Sequence, residues 1–119
     1  MIFVMLPAYN EEASIALLIQ DLHDTLAAMK EPFQIVVVND GSRDGTLSEI
    51  AKLGFADSVK IINHEKNSGL AAALRTGYSY IAENSSTDDV SITMDADNSH
   101  PPALMPSMLA KIREGSDIV

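Results

Sequence analysis

The chain has 119 residues, 46% hydrophobic and 21% charged, which describes one globular domain and excludes a disordered or low-complexity protein. Its formal charge of −9, with no basic patch to offset it, disfavours nucleic acid and an anionic membrane surface as general partners. There are no cysteines, so disulfides and thiolate metal sites are excluded as well, in keeping with a cytoplasmic location.

Taken in chain order, Met1-Ile2-Phe3-Val4-Met5-Leu6 lacks a basic segment and breaks at Pro7, so it reads as a first strand and not as a leader peptide. No apolar run approaches the ~20 residues that span a bilayer. Short apolar runs alternate with longer periodic ones. This alternation predicts strands at 2–6, 33–39, 59–63 and 90–95, helices at 11–30, 44–53, 69–83 and 101–114, and a further strand beginning at 117. Such an order implies βαβ units and a mostly parallel sheet with flanking helices. Because the chain stops inside that last strand, it is expected to be part of a longer protein.

The first helix carries Ile15, Leu18, Ile19, Leu22, Leu26 and Met29 at helical spacing, with Glu11 and Glu12 expected in its first turn, where the helix dipole favours acid. Phe33-Gln34-Ile35-Val36-Val37-Val38 is nearly continuous apolar sequence, as expected of a central strand covered on both faces. Ala71, Ala72, Leu74, Tyr78 and Ile81 are the expected sheet-facing stripe of the third helix.

Ligands of open α/β sheets bind beyond the carboxyl ends of the strands, and three polar clusters fall there. These are Pro7-Ala8-Tyr9-Asn10-Glu11, Asn39-Asp40-Gly41-Ser42-Arg43-Asp44-Gly45-Thr46 and Asp95-Ala96-Asp97. Pro7 and Tyr9 either form a floor and wall for a base or ribose, or end a strand and pack. Asp40 either accepts from the N–H edge of a pyrimidine or guanine base, or belongs to turn chemistry in which Asp44 or Ser42 caps the next helix; both readings can hold together. Asn67-Ser68-Gly69 reads as a helix start with a permissive glycine. Arg75 either reaches a phosphate or base from the site edge or is solvated surface. His100 is either a ligand or proton carrier or, with Pro101 or Pro102 at the first helical position, Ser99 or His100 is a cap residue. His23 and His64 carry no signal above ordinary surface or strand-end histidine.

The sharpest feature is the carboxylate pair. On an extended chain Asp95 and Asp97 face one side and Ala96 the other. Two like charges held that close call for a cation, and hard oxygen ligands suit Mg²⁺ or Mn²⁺ carrying diphosphate oxygens.

Together and in this order, Leu6-Pro7-Ala8-Tyr9-Asn10-Glu11, Val37-Val38-Asn39-Asp40-Gly41-Ser42 with Asp44-Gly45-Thr46, Asn67-Ser68-Gly69-Leu70 and Asp95-Ala96-Asp97 resemble the nucleotide-sugar half of the family 2 glycosyltransferases of GT-A fold. Met94-Asp95-Ala96-Asp97, Ser99-His100-Pro101 and Gly115-Ser116-Asp117-Ile118-Val119 look most like the dolichyl- and polyprenyl-phosphate mannose synthases. The resemblance implies a Rossmann-like α/β fold, truncated, in which 1–119 is the N-terminal nucleotide-sugar-binding part of a larger domain. It also implies an inverting, metal-dependent transfer of a sugar from a nucleoside-diphosphate sugar such as GDP-mannose to an acceptor such as polyprenyl phosphate. By the same resemblance Pro7, Tyr9, Glu11, Val38 and Asp40 hold the nucleoside, Asp95 and Ala96 the ribose–phosphate region, and Asp95 with Asp97 the Mg²⁺ or Mn²⁺. By the resemblance the acceptor site, and often a catalytic base, belongs to a C-terminal half outside this chain, and a polyprenyl-phosphate acceptor, already an anionic nucleophile, would need no base, so no catalytic base is named. The expected location is the cytoplasm or the cytoplasmic face of a membrane, with any attachment made through parts not in this chain.

Within the enzyme class, the alternative is a UDP-sugar-dependent transferase acting on a saccharide or another lipid acceptor. The non-enzymatic alternative, a receiver-like domain, needs an acidic pair after the first strand and an acceptor aspartate after the third. Here those places hold Leu6-Pro7-Ala8-Tyr9 and Asn63-His64-Glu65. A dinucleotide-binding domain is disfavoured because no G-x-G-x-x-G follows the first strand.

Overall fold

The structure, a computed structural model, describes residues 1–54, 57–86, 88–96 and 105–113, with Ile112 and Arg113 by backbone only. Strands β1 (Ile2–Ala8), β2 (Phe33–Asp40), β3 (Val59–His64) and β4 (Val90–Thr93) alternate with helices α1 (Ile15–Ala28), α2 (Thr46–Ala51), α3 (Leu70–Asn84) and α4 (Met105–Arg113). The strands form a parallel sheet in the order β3-β2-β1-β4. The chain therefore steps outward from β1 to β3 and then returns to lay β4 on the other side of β1. That reversal puts the topological switch point between β1 and β4, where connections leave a crevice at the strand ends.

The two-residue period of the strands divides the core. Ile2, Val4, Leu6 and Ala8 of β1, with Ile35 and Val37 of β2, pack into one cluster with Ile15, Leu18, Ile19, Leu22 and Leu26 of α1 and with Met105 and Leu109 of α4. Phe3 and Met5 of β1 and Val36 of β2 meet Ile81 of α3 on the opposite face. Both faces of the sheet are thus covered, which is why the strands read as continuous apolar runs and not as alternating ones.

Two expectations need correction, and others fall outside the description. α1 begins at Ile15, so Glu11 and Glu12 precede the helix and do not occupy its first turn. The reason is local: the Glu11 carbonyl already accepts the amides of Ser14 and Ile15, which closes a separate turn. The buried face of α3 is Ala73, Gly77 and Ile81, whereas Ala71 and Tyr78 are exposed. Helical periodicity allowed either stripe, and the smaller residues won because the helix backbone lies so close to β1 that a Cβ at Gly77 would come within 2.7 Å of Met5 Cγ. The expected strand at 117, the start of the last helix at 101–104 and the His100 alternatives lie outside the described residues.

Gly41 ends β2 at φ +73, and a Cβ there would meet the backbone of Lys66 and Asn67 at 2.4 Å. Gly54 has the same φ of +73 but open space around it. Gly54→Ala should therefore cost about 1–2 kcal/mol, the left-handed penalty alone, while Gly41→Ala adds a clash with main chain that cannot move aside and should cost at least about twice that. Urea unfolding of the two variants checks this; equal losses would contradict it.

Candidate functional site

The site is built from connections at the carboxyl end of the sheet, beginning with the two that follow β1 and β2. These lie side by side and exchange hydrogen bonds in both directions. From the first, the amides of Asn10, Glu11 and Glu12 donate to Ser42 Oγ (2.9 Å), Thr46 Oγ1 (2.9 Å) and Asp44 Oδ2 (3.3 Å). In return, the amides of Arg43 and Gly45 donate to Asn10 Oδ1 (2.9 Å) and Glu12 Oε2 (3.0 Å). Asn10 adopts φ +52, a left-handed conformation that asparagine tolerates better than most residues. The polar residues of both motifs thus serve the backbone as well as any ligand.

Neither expected cap is a simple one. The N-cap position of α2 is Gly45. Asp44, one residue earlier, takes the Thr46 amide at 3.0 Å and the Thr46 hydroxyl. Ser42 is spent on Asn10. Burial pushes the Asp44 carboxyl up, but the bonds from Thr46 and from the Glu12 amide outweigh it and hold it below its ordinary value.

Asp40, the last residue of β2, is only 4% exposed. A buried carboxylate must be hydrogen-bonded, and its partners come from the far side of β3. His64 Nδ1 (2.8 Å) and the Ser68 amide (2.9 Å) reach Oδ1, and the Gly69 amide (2.9 Å) reaches Oδ2. Gly69 is the N-cap of α3, at φ 97 and without a capping side chain of its own. Asp40 is therefore a long-range cap, a negative charge set against the positive end of a 15-residue helix. Burial pushes its carboxyl up; the bonds from His64, Ser68 and Gly69 more than offset this and leave it below the usual 3.8.

Asp95 and Ala96 follow β4. Burial alternates through this segment, with Ile92, Met94 and Ala96 inside and Ser91, Thr93 and Asp95 outside, as expected of extended chain. Ser14, at the N-cap position of α1, makes no capping bond. Its hydroxyl instead donates to the Ala96 carbonyl at 2.8 Å and ties the carboxylate segment to the first helix.

A cleft of about 360 Å³ opens where these ends converge. Pro7, Ala8, Tyr9 and Glu11 line it from the β1 side and Asp40 from β2. Asn67, Gly69, Leu70 and Ala73 line it around the start of α3, and Asp95 and Ala96 line it after β4. Of the sequence-derived candidates, Pro7, Tyr9, Glu11, Asp40, Asp95 and Ala96 are thus brought together. Val38 is fully buried in β2 and lies outside this lining, so its side chain is core. Arg75 is exposed on α3 and also lies outside it. Asp97 is outside the described residues. A second cleft of about 330 Å³ adjoins the first across Tyr9 and Asn67 and is lined by Asn39, Arg43, Asn63, His64 and Lys66 among others.

Sequence reasoning gave Asn67-Ser68-Gly69 a place in the family resemblance and at a helix start but no contact with Asp40, and read His64 as uninformative. A signal for His64 was present in the strand register. β2 and β3 end together, and Asp40 pairs directly with His64.

A parallel α/β sheet with a cleft carrying three carboxylates at its switch point is a Rossmann-like fold. Residues 3–119 match the family described as "Glycosyl transferase family 2", and the chain belongs to that family. It is 34% identical over 115 residues to a dolichol-phosphate mannosyltransferase of Pyrococcus furiosus, covering 97% of this chain and 31% of that protein. Among solved structures it is similar to S. aureus TarS 1–349 in complex with UDP (TM-score 0.69, 26% identity, 95% of this chain and 32% of that one). It is also similar to the mannosyltransferase PcManGT of Pyrobaculum calidifontis in complex with GDP-Man and Mn²⁺ (TM-score 0.60, 25% identity, 81% and 27%). The fold is that of the GT-A glycosyltransferases. The chain spans about a third of the length of the curated relatives it matches. Among the described residues, no helix is long and apolar enough to cross a membrane.

The electrostatics of Asp40 give a stability test. A carboxyl whose folded pKa lies below 3.8 contributes stability that is complete above that pH and is lost as the pH falls below it, through the folded value. Asp40→Asn should lower the urea midpoint at pH 7 and flatten the acid limb of midpoint against pH. An acid limb as steep as that of the unsubstituted chain would show that Asp40 does not contribute to it.

Proposed function

We propose that residues 1–119 form the donor-binding part of a glycosyltransferase that moves a sugar from a nucleoside diphosphate to an acceptor oxygen with inversion at the anomeric carbon. The observation that carries the reading is the convergence of Tyr9, Asp40 and Asp95 on one cleft at the switch point. In the reaction, the bond between the anomeric carbon and the diphosphate oxygen breaks. A bond to the acceptor oxygen forms from the opposite face, and the nucleoside diphosphate leaves. The chain's own residues bind and orient the donor. Tyr9 and Pro7 flank the base or ribose, Asp40 accepts from a base N–H, and Asp95 and Ala96 lie at the ribose–phosphate region.

The chemistry of the cleft fits a divalent cation. Its lining carries the carboxylates of Glu11, Asp40 and Asp95 and, among the described residues, no lysine or arginine, so a diphosphate has no protein counter-charge there. No cluster of three metal-ligating side chains occurs among the described residues. That is compatible with Mg²⁺ or Mn²⁺, which take one or two carboxylates, waters and the ligand's own phosphates. Asp95 and Asp97 would hold the ion, and the ion would supply charge stabilisation to the departing diphosphate.

Similarity to a dolichol-phosphate mannosyltransferase supports a polyprenyl phosphate as acceptor, and similarity to a mannosyltransferase solved with GDP-Man supports GDP-mannose as donor. Similarity to a protein solved with UDP supports the second reading, a UDP-sugar transferase acting on a saccharide or another lipid acceptor.

Calorimetry of the chain with GDP and with UDP, with and without Mn²⁺, separates these readings. One nucleotide should bind at least about tenfold more tightly with metal, roughly 1.4 kcal/mol, and Asp95→Asn or Asp97→Asn should abolish the metal-dependent part. Binding that ignores metal, unchanged in both variants, would overturn the reading.

A further inference from the structure

Asp40 is held by a chain of contacts that extends beyond the helix amides. His64, the last residue of β3, donates from Nδ1 to Asp40 Oδ1 at 2.8 Å, and its Nε2 lies 2.7 Å from the Thr76 hydroxyl on α3. An ionised carboxylate only accepts, so Nδ1 must carry a proton. In the neutral ring Nε2 is then the acceptor, and the Thr76 hydroxyl donates to it. The tautomer is therefore set from both sides of the ring.

The distribution of donors on Asp40 is uneven. Oδ1 receives His64 and the Ser68 amide, whereas among the described residues Oδ2 receives only the Gly69 amide. A carboxylate oxygen accepts about two hydrogen bonds, so Oδ1 is filled and the remaining capacity of this buried group sits on Oδ2. Asp40 lines the larger cleft, and the His64 ring borders the smaller one.

We propose that His64 is a positioning residue for the donor nucleotide: by occupying Oδ1 it directs the open acceptor position of Asp40, on Oδ2, to an N–H of the ligand's base. The role rests on the donor-binding reading of the cleft. His64 itself acts through Asp40, and Thr76 acts through His64. Loss of the ring leaves Oδ1 one donor short, and the carboxylate then turns to recover that bond at the expense of the ligand.

Two measurements test this in the full chain. In the ligand-free protein, ¹⁵N NMR of the histidine rings should show His64 protonated at Nδ1; a ring protonated only at Nε2 overturns the proposal without bearing on nucleotide binding. Titration with the nucleotide that the unsubstituted chain binds in Mn²⁺, well below each variant's unfolding temperature, should show affinity about tenfold weaker in His64→Phe. His64→Gln, whose amide can donate to Asp40 and accept from Thr76, should stay within about threefold of the unsubstituted chain. Should His64→Phe not fold, Thr76→Val serves in its place, with an expected loss of about threefold. A His64→Phe or Thr76→Val chain that melts lower yet binds as the unsubstituted chain does reduces the contact to a structural one and overturns the proposal, as does a folded His64→Gln no better than His64→Phe. An unsubstituted chain that binds no nucleotide overturns the donor-binding reading and this role with it.

Discussion

The carboxylate of Asp40 joins elements that are otherwise independent. It ends the central strand β2, closes the start of α3 through two amides, and holds the ring at the end of β3. A net hydrogen bond to a charged group is worth about 1.5–3 kcal/mol, but leaving a buried carboxylate without partners costs more than any one of those bonds returns. The fold therefore depends on all of them being made together. Gly41 is part of the same constraint, because only a residue without Cβ lets the chain leave β2 beside the Lys66–Asn67 backbone and still bring Ser68 and Gly69 to the carboxylate.

The paired connections after β1 and β2 show the same economy. Backbone amides that would face a water-filled groove are bonded to side chains of the neighbouring connection, in both directions. Among the described residues no buried side-chain nitrogen or oxygen lacks a partner. The consequence for the site is preorganisation: Tyr9 and Glu11 are carried on a loop that has little freedom to move. Ser14 extends this to the other side of the cleft by giving up a capping role to hold Ala96.

Much of this was legible in the sequence, and the exceptions have physical reasons. β1 and β3 run to Ala8 and His64, a little beyond the expected ends, because Pro7, Ala8 and His64 still pair in register with β2. The buried stripe of α1 is the expected one, since its large apolar residues admit no alternative face. α3 is less determinate. It is rich in alanine, and the face that packs is chosen by how closely the backbone can approach Met5, which composition does not reveal. Pro7, Tyr9, Asp40 and Asp95 stood out as strand-end residues, and their convergence follows from strand order. The engagement of Asp40 with amides 28 and 29 positions later was not readable, because it depends on where α3 starts in space and not on local spacing. Val38 was singled out by its place in a motif, yet a strand buried on both faces leaves its side chain no route to solvent.

The register of the central sheet ties the cleft to the core in a further way. Pro7 lies level with Val38, Ala8 with Asn39, Asn39 with Asn63 and Asp40 with His64. The Asn39 amide also donates to Asn63 at 3.1 Å and Asp40 accepts from His64, so the ends of β2 and β3 form one polar rim beside Pro7 and Ala8 of β1. Since a slip of one residue turns every side chain to the opposite face, the rim has no independent means of adjustment. Its alignment is inherited from the apolar pairs beneath it, Leu6 beside Val37 and Val37 beside Ile61. A volume change deep in those strands is therefore transmitted to the binding edge as a misalignment. In this molecule packing defects and binding defects share one mechanical origin.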